Sequence, residues 1–423
     1  MHLCLFEDDR TRHLFPLTRV RPVYDLRIGR RTLAERLFES FDAPVVLHSR
    51  AAVADVTCQE YDRLVNHLPG EVDVLFVNGR WFAEEGDLLD AIRRAARPGE
   101  PGRVFVQGED VVAAWVPRAG ASLVKEDFLS AETFGSMREE KVDAARMVAR
   151  LWHPLDLLEE ALRSDFDRAT GGYNVFERPG ADISDGVLLS SAERILVGPR
   201  ARIRPGAILS AEEGPIHIDH DAVVFEGAVV RGPCYIGPHS QVKMGAKIEI
   251  VCAGPWCKID GDVHDSIMHS YANKAHAGFF GHAYMGRWCN VGAGTNNSNL
   301  RNDYGPVSVY NPVAQDFEAT DRQFFGLIMG DHSKCGINSM FNTATVVGIS
   351  CNIYGTGFPP RHIPSFSWGT PDHLEEYRLE KALRVAEAAM ARRNVPLTKV
   401  DRALLGAVFA DTSSERRALL GAG

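Results

Sequence analysis

Residues 216–248 read IHIDHDAVVFEGAVVRGPCYIGPHSQVKMGAKI, and this stretch decides the fold of the back half of the chain. Ile218, Val224, Val230, Ile236, Val242 and Ile248 recur every six residues. Two positions before each stands Ile216, Ala222, Ala228, Cys234, Ser240 or Ala246, mostly small. A period of six suits neither a helix of about 3.6 residues per turn nor a strand of period two. It suits a prism-like coil, in which each hexad is one flat side, the aliphatic points inward and the small residue eases the corner. The same register runs through Val197, Ile203 and Leu209. It returns at Phe279, Met285 and Val291, preceded by Ala277, Ala283 and Cys289, and again at Cys335, Phe341, Val347 and Ile353. Three hexads close one coil, so the segment predicts about six stacked coils, a parallel β-helix.

Two interruptions, Glu249–Asp260 around Gly254-Pro255-Trp256 and Leu300–Phe325, break the register and are expected to leave the coil as loops. After Pro371 the pattern turns helical through Leu374, Tyr377, Leu379, Ala382 and Leu383, with a second helix from Val400 to Leu405. These helices are expected to cap the coil's open end. The front of the chain alternates strands (Leu3–Phe6, Val45–Leu47, Val72–Val77, Val104–Val106) with helices (Leu33–Phe41, Asp87–Ala96), a βαβ pattern that predicts a mostly parallel sheet. A further helix is expected from Trp152 to Asp167. The expected division is an α/β domain over 1–170, a linker over 171–182 marked by Gly171-Gly172 and Pro179-Gly180, a coil over 183–370 and a helical cap over 371–423.

The 423 residues carry a formal charge of −9 and no Lys/Arg cluster in sequence, which argues against a nucleic-acid partner. No apolar run approaches the roughly 20 residues that span a bilayer, and the start of the chain lacks signal-peptide anatomy, so a cytoplasmic protein with no membrane partner is expected. The eight cysteines form no C-x-x-C pair. Cys234, Cys289, Cys335 and Cys351 fall on repeat positions and read as packed, reduced thiols.

The most specific stretch is Lys274-Ala275-His276-Ala277-Gly278-Phe279-Phe280-Gly281, followed by Asn290-Val291-Gly292-Ala293-Gly294-Thr295 and on to Asn299. It resembles the acetyltransferase half of the bifunctional N-acetylglucosamine-1-phosphate uridyltransferase/glucosamine-1-phosphate acetyltransferase family, a left-handed β-helix. The front half resembles that family's Rossmann-like nucleotidyltransferase half, and more closely a divergent bacterial branch of it. Pro16-Leu17-Thr18, Arg21-Pro22, Asp25-Leu26-Arg27 and Ile28-Gly29 carry that likeness.

The resemblance implies that His276 is the base of an acetyl-CoA-dependent transfer to an amino-sugar phosphate or nucleotide sugar. It implies that Lys243, Lys274, Asn290 and Asn299 contact the acceptor, and that Ala293, Asn338 and Ser339 line the coenzyme groove. It also implies a homotrimer with sites between subunits. Phe279 stands where the family has a substrate-contacting Tyr, and His264 near a family Lys, which puts the acceptor's identity in question.

Arg12, Arg21 and Asn78 are the candidate nucleotide contacts of the front half. There the departures are larger. The loop after the first strand, Glu7-Asp8-Asp9-Arg10-Thr11-Arg12, lacks the glycines that let backbone N–H groups crowd a triphosphate. Val23 replaces a Lys, and Arg80 in Asn78-Gly79-Arg80 replaces a Mg²⁺-ligating Asp. Mg²⁺ is therefore implied only if this half is active, and a bifunctional enzyme is the alternative reading. No resident metal is expected in the acyl-transfer site. Two rivals of another class remain: a zinc site of the γ-carbonic-anhydrase kind built from His264, His269, His276 and His282, and a non-catalytic trimeric scaffold.

Overall fold

The computed structural model describes residues 1–120, 123–124, 127–135, 137–171 and 180–420, the side chains of 419 and 420 excepted. Most of the expected linker, 172–179, lies outside the described residues.

The front of the chain forms one seven-stranded sheet in the order Leu64–Val65, Val45–Leu47, His2–Phe6, Val72–Asn78, Asp110–Ala119, Arg103–Gln107, Arg138–Lys141. The strands expected from sequence are present within a residue or two, and the first four pair in parallel. Asp110–Ala119 runs antiparallel to both its neighbours, so the sheet is mixed. Helices Leu33–Ser40 and Asp87–Ala95 lie where the periodicity puts them, and Thr32 and Glu35 cap the first reciprocally. The helix after Trp152 comes in two pieces, His153–Asp156 and Leu158–Thr170.

From residue 182 the chain winds as a parallel β-helix of three faces. Face A stacks 182–183, 202–203, 223–224, 241–242, 258–259 and 273–274, and resumes at 334–335 and 352–353. Face B stacks 188–190, 208–210, 229–231, 247–249, 262–264 and 279–281. Face C stacks 195–197, 216–218, 234–236, 251–253, 266–268, 284–285, 328–329, 346–347 and 362–363. Val197, Ile203, Leu209 and the six aliphatics from Ile218 to Ile248 are all inside, as are Cys234, Cys289, Cys335 and Cys351. All eight cysteines are free thiols.

The interruption at 249–260 does not leave the coil. Glu249 to Ala253 is strand, and 254–257 is the ordinary corner from face C to face A. What changes is coil length: the inward residue of face A advances by 18, 17 and 15 residues from Val224 through Val242 and Ile259 to Lys274. The corner after face B tightens from Arg231–Cys234 to Glu249–Val251, with Ile250 in the left-handed region at φ 51°. The same tight corner, now at His282, moves the register by one, so Phe280 rather than Phe279 enters the core opposite Val263. Ala277 is consequently exposed instead of easing a corner. The second interruption does leave the coil, as a hairpin of Ser308–Asn311 with Asp316–Ala319.

Outward residues of face C are apolar where an outward residue would ordinarily be polar. Tyr235, Cys252, Ile267, Tyr284, Ile328 and Val346 share one core with Leu26, Ile28 and Ala161 of the front domain, so that domain is docked along face C. The hairpin at 308–319 joins it through Arg150–Glu318 and a contact between His13 and Asn311. A buried ion network locks the two parts further. Arg21 meets Asp25 and Asp331, and Arg287 meets Asp25 at 2.8 Å and Glu60 at 2.5 Å.

At the C-terminus, Leu374 lies in a strand, His373–Glu376, paired back on Ser367–Thr370, and the first helix begins only at Leu379. Helices Leu379–Ala391 and Lys399–Asp411 pack against Trp288, Ile349 and Phe366 on the coil and Val53 and Val56 of the front domain. They line a flank of the coil, because the corner they cover presents a column of aromatic rings. His239 stacks on Trp256 (4.4 Å) and Tyr271 on Trp288 (4.1 Å), each ring on a left-handed residue of successive coils.

Candidate functional site

Lys274 occupies the inward place that Ile259 holds one coil below, fully removed from solvent. Its ammonium donates to the carbonyls of Asp260, at 3.2 Å, and His276. Burial lowers its pKa to about 8. The lysine thus serves as a strut that ties the backbone of the His276 turn to the coil, and the same burial keeps it away from any acceptor. Lys274→Met removes the buried charge at similar length, so it is expected to raise the melting midpoint near pH 7 while lowering turnover through a loosened His276 turn. The sign follows from linkage: a lysine whose pKa is depressed on folding penalises the native state below about pH 8 and ceases to do so as pH rises through the folded and then the unfolded value. Wild-type stability should therefore climb between about pH 8 and 10.5, and that climb should vanish in the variant, as urea melts across this range would show.

His276 itself is exposed at the corner between faces A and B. With Asn290 it lines a cavity of about 500 Å³ closed on the other side by the helix Leu379–Ala391 and by Arg392 and Arg393. Lys258 and Lys334 also line the cavity, the rings of Tyr271 and Trp288 form part of its wall, and among the described residues no acidic side chain lines it. Burial, then the charges of Arg393, Lys243 and Arg392, hold Lys258 below the ordinary lysine value. Lys334 is lowered by burial and donates to the His332 carbonyl at 2.8 Å. Arg393 reaches only the Asn273 side-chain oxygen, at 3.4 Å. In a chain of net charge −9, an assembly of cations with no carboxylate among the described lining residues gives the cavity the charge that suits an anion. Sequence reading did not find Arg392 and Arg393, because they come from a helix whose placement against face A is tertiary.

Lys243 lies at the edge of this region with its ammonium 4.4 Å from the Phe225 ring. Ala293, Asn338 and Ser339 stack above the His276 turn at the same corner of the following coils: the Gly294 N–H donates to the Ala277 carbonyl at 3.0 Å, the Asn338 N–H to the Ala293 carbonyl at 2.7 Å, and Ser339 Oγ to the Gly336 carbonyl at 3.0 Å. Gly294, at φ 70°, has no room for a side chain, since a Cβ would sit 2.1 Å from Asn338 Oδ1.

A second group occupies face B and its corner. His264 Nδ1 is 3.0 Å from Asp265 Oδ2, and His282 Nε2 is 3.8 Å from the same oxygen. The Asn299 amide is 2.9 Å from His282 Nδ1, and the Phe279 ring meets His264 edge-on at 4.9 Å. The hydrogen bond that His264 donates to Asp265 raises the His264 pKa, while burial lowers that of His282, so the two imidazoles are biased towards opposite protonation states. Asn299 therefore sits with His264 and His282, whereas Asn290 sits with His276. Of the four histidines considered as zinc ligands, only His264 and His282 meet. His269 is buried against Arg21 in the ion network, and His276 lines the cationic cavity.

In the front domain, Asn78 is buried and donates to Asp8 and to the Val111 carbonyl. Arg21 is committed to Asp25 and Asp331, while Arg12 is exposed over the Phe128 ring. Arg80 is fully buried, forked onto Asp8 at 2.7 and 2.5 Å and onto Asp110 at 2.6 Å. A guanidinium between the two carboxylates already supplies the positive charge that a Mg²⁺ ion would bring, so these residues do not fit the metal. Glu7, the first acid of the loop, is likewise turned inward onto Arg50 and the backbone N–H of Val23.

Residues 3–174 match the family described as sugar nucleotidyl transferase. Among curated proteins, the bifunctional protein GlmU of Nitratidesulfovibrio vulgaris is 29% identical over 138 residues, 27% of this chain and 30% of that protein. GlmU of Methanocaldococcus jannaschii is 34% identical over 104 residues, 25% of each. The chain thus spans about 30% of the length of the curated relatives it matches. Among solved structures, the UDP-N-acetylglucosamine acyltransferase of Campylobacter jejuni aligns at 13% identity and a TM-score of 0.25, over 56% of this chain and 84% of that one. The acyltransferase of Bacteroides fragilis gives 13% and 0.24, over 59% and 92%. Residues 3–174 are thus similar to sugar nucleotidyl transferases and, in part, to GlmU proteins, and a parallel β-helix follows them.

Proposed function

We propose that this chain is an acetyl-CoA-dependent N-acetyltransferase acting on an amino-sugar phosphate or a nucleotide sugar in the synthesis of cell-envelope precursors, working in the cytoplasm as a homotrimer. The observation that carries the reading is the cationic cavity in which His276 and Asn290 stand together. Both substrates are phosphorylated, and a cavity lined by Lys258, Lys334, Arg392 and Arg393 compensates that charge. In the reaction the acceptor amine attacks the thioester carbon, the tetrahedral adduct collapses with loss of the coenzyme thiolate, and the amide forms. His276 removes the proton that the attacking nitrogen must shed and can return it to the leaving sulfur. The front domain docks the coil and leaves face B, with its open ladder of Glu213, Arg231 and Glu249, as the side available to neighbouring copies.

The test is release of free thiol from acetyl-CoA with a panel of amino-sugar 1-phosphates and UDP-amino sugars. Arg392→Ala with Arg393→Ala is expected to raise KM for the donor about 10- to 100-fold with kcat little changed, as removal of charge-assisted ground-state contacts does. A donor KM unaffected by both changes would place the coenzyme elsewhere, and a folded wild type that releases no thiol with any acceptor of the panel would remove the reading.

A further inference from the structure

Two places on the coil bring two histidines and an aspartate within reach of a single ion: His220, Asp221 and His239, and His264, Asp265 and His282, with donor atoms within 4.8 Å of one another in each. They are not equivalent. Both oxygens of Asp221 are held by Arg200, at 2.8 and 2.6 Å, and a guanidinium there repels a cation. Among the described residues, Asp265 is paired with the two imidazoles, at 3.0 and 3.8 Å, and with no guanidinium. Donor atoms about 2.0–2.2 Å from a tetrahedral zinc lie roughly 3.3–3.5 Å apart, and the observed pair of distances brackets that value.

The scaffold is already ordered. Asp265 (φ 49°) and His282 (φ 48°) are the left-handed corner residues of successive coils, so the backbone ladder fixes their separation. Phe279 against His264, and Phe324 stacked on His282 at 5.1 Å, limit the ring rotamers. Asn299 supplies the outer layer. With its amide turned to present Oδ1, it accepts from Nδ1–H of His282 and leaves the Nε2 lone pair free, the arrangement that orients metal-bound histidines. Side-chain exposures of 29%, 34% and 23% leave a fourth position open to water or to an oxygen of a ligand.

We propose that His264, Asp265 and His282 bind one divalent first-row transition ion of the zinc class, held in the outer layer by Asn299. The site is separate from the cationic cavity that contains His276, and its readout is metal, so it stands or falls independently of acyl transfer. The full chain, stripped with a chelator, is titrated with Co²⁺ and then Zn²⁺. One Co²⁺ per chain with the visible absorption of a four-coordinate ion, displaced by Zn²⁺, is expected. His264→Ala and His282→Ala should abolish it, and Asp221→Asn should leave it unchanged. Asn299→Leu should weaken binding about 10- to 100-fold while Asn299→Asp retains it. If a histidine variant fails to fold, the Asn299 pair carries the test. No stoichiometric binding by the folded wild type, binding that survives His282→Ala, or an Asn299→Leu variant that binds as tightly as wild type would overturn the site.

Discussion

Arg80→Ala is expected to cost about 3–5 kcal/mol of folding stability, because it strands Asp8 and Asp110 as close, buried carboxylates with no counter-charge. Urea melts of Arg80→Ala alone and combined with Asp110→Asn would measure this: removing one of the two stranded charges should recover part of the loss, and no recovery would remove the two-carboxylate account. Arg80→Asp supplies the complementary experiment. Three carboxylates around one point should make the melting midpoint respond to Mg²⁺, whereas wild type should not respond, since a ligand stabilises only the state that binds it. Mg²⁺-dependent pyrophosphate release from UTP and a hexosamine 1-phosphate is correspondingly expected to be absent in wild type.

The readable and unreadable parts of this fold divide along a physical line. The inward aliphatics from Ile218 to Ile248 were legible because every coil must bury one residue per side, and nothing polar can stand there without a partner. Coil length was not legible. Glycines turn the corner from face A to face B, but the other two corners turn on left-handed residues of other kinds: His239, Trp256, Tyr271, Trp288 and His332 from face C to face A, and Ile250, Asp265 and His282 in the shortened corner after face B. A corner shortened by one residue therefore looked like an interruption at 249–260 and placed Phe279, not Phe280, in the core. Lys274 shows the limit of motif reading from the other side. Its neighbourhood to His276 was visible, but its inward direction depends on the shortened coil beneath it. The departures at Arg80 and Glu7 could be seen as losses of phosphate and metal ligands, but their satisfaction by Asp8, Asp110 and Arg50 required the strands to be assembled. The candidate site divides in the same way. His276 and Asn290 were singled out by the family resemblance, while Arg392 and Arg393 and the approach of His264 to His282 through Asp265 are tertiary facts.

His276→Ala is expected to lower kcat for thiol release by about 10² to 10⁴-fold with fold and assembly unchanged. The size follows from the task. An amine attacking a thioester must shed a proton as the carbon–nitrogen bond forms, and a positioned imidazole takes it where water does so poorly. The harmlessness to the fold follows from position: the side chain is exposed, and the backbone of its turn is held by Lys274 through the His276 carbonyl, which alanine retains. KM for acetyl-CoA should stay near the wild-type value, because the cations of the cavity are untouched. Asn299→Ala provides the contrast. Placed beside His282 and away from the cationic cavity that holds His276, it should leave kcat and the KM for acetyl-CoA near their wild-type values. A folded His276→Ala variant that keeps the wild-type kcat would remove His276 as the base.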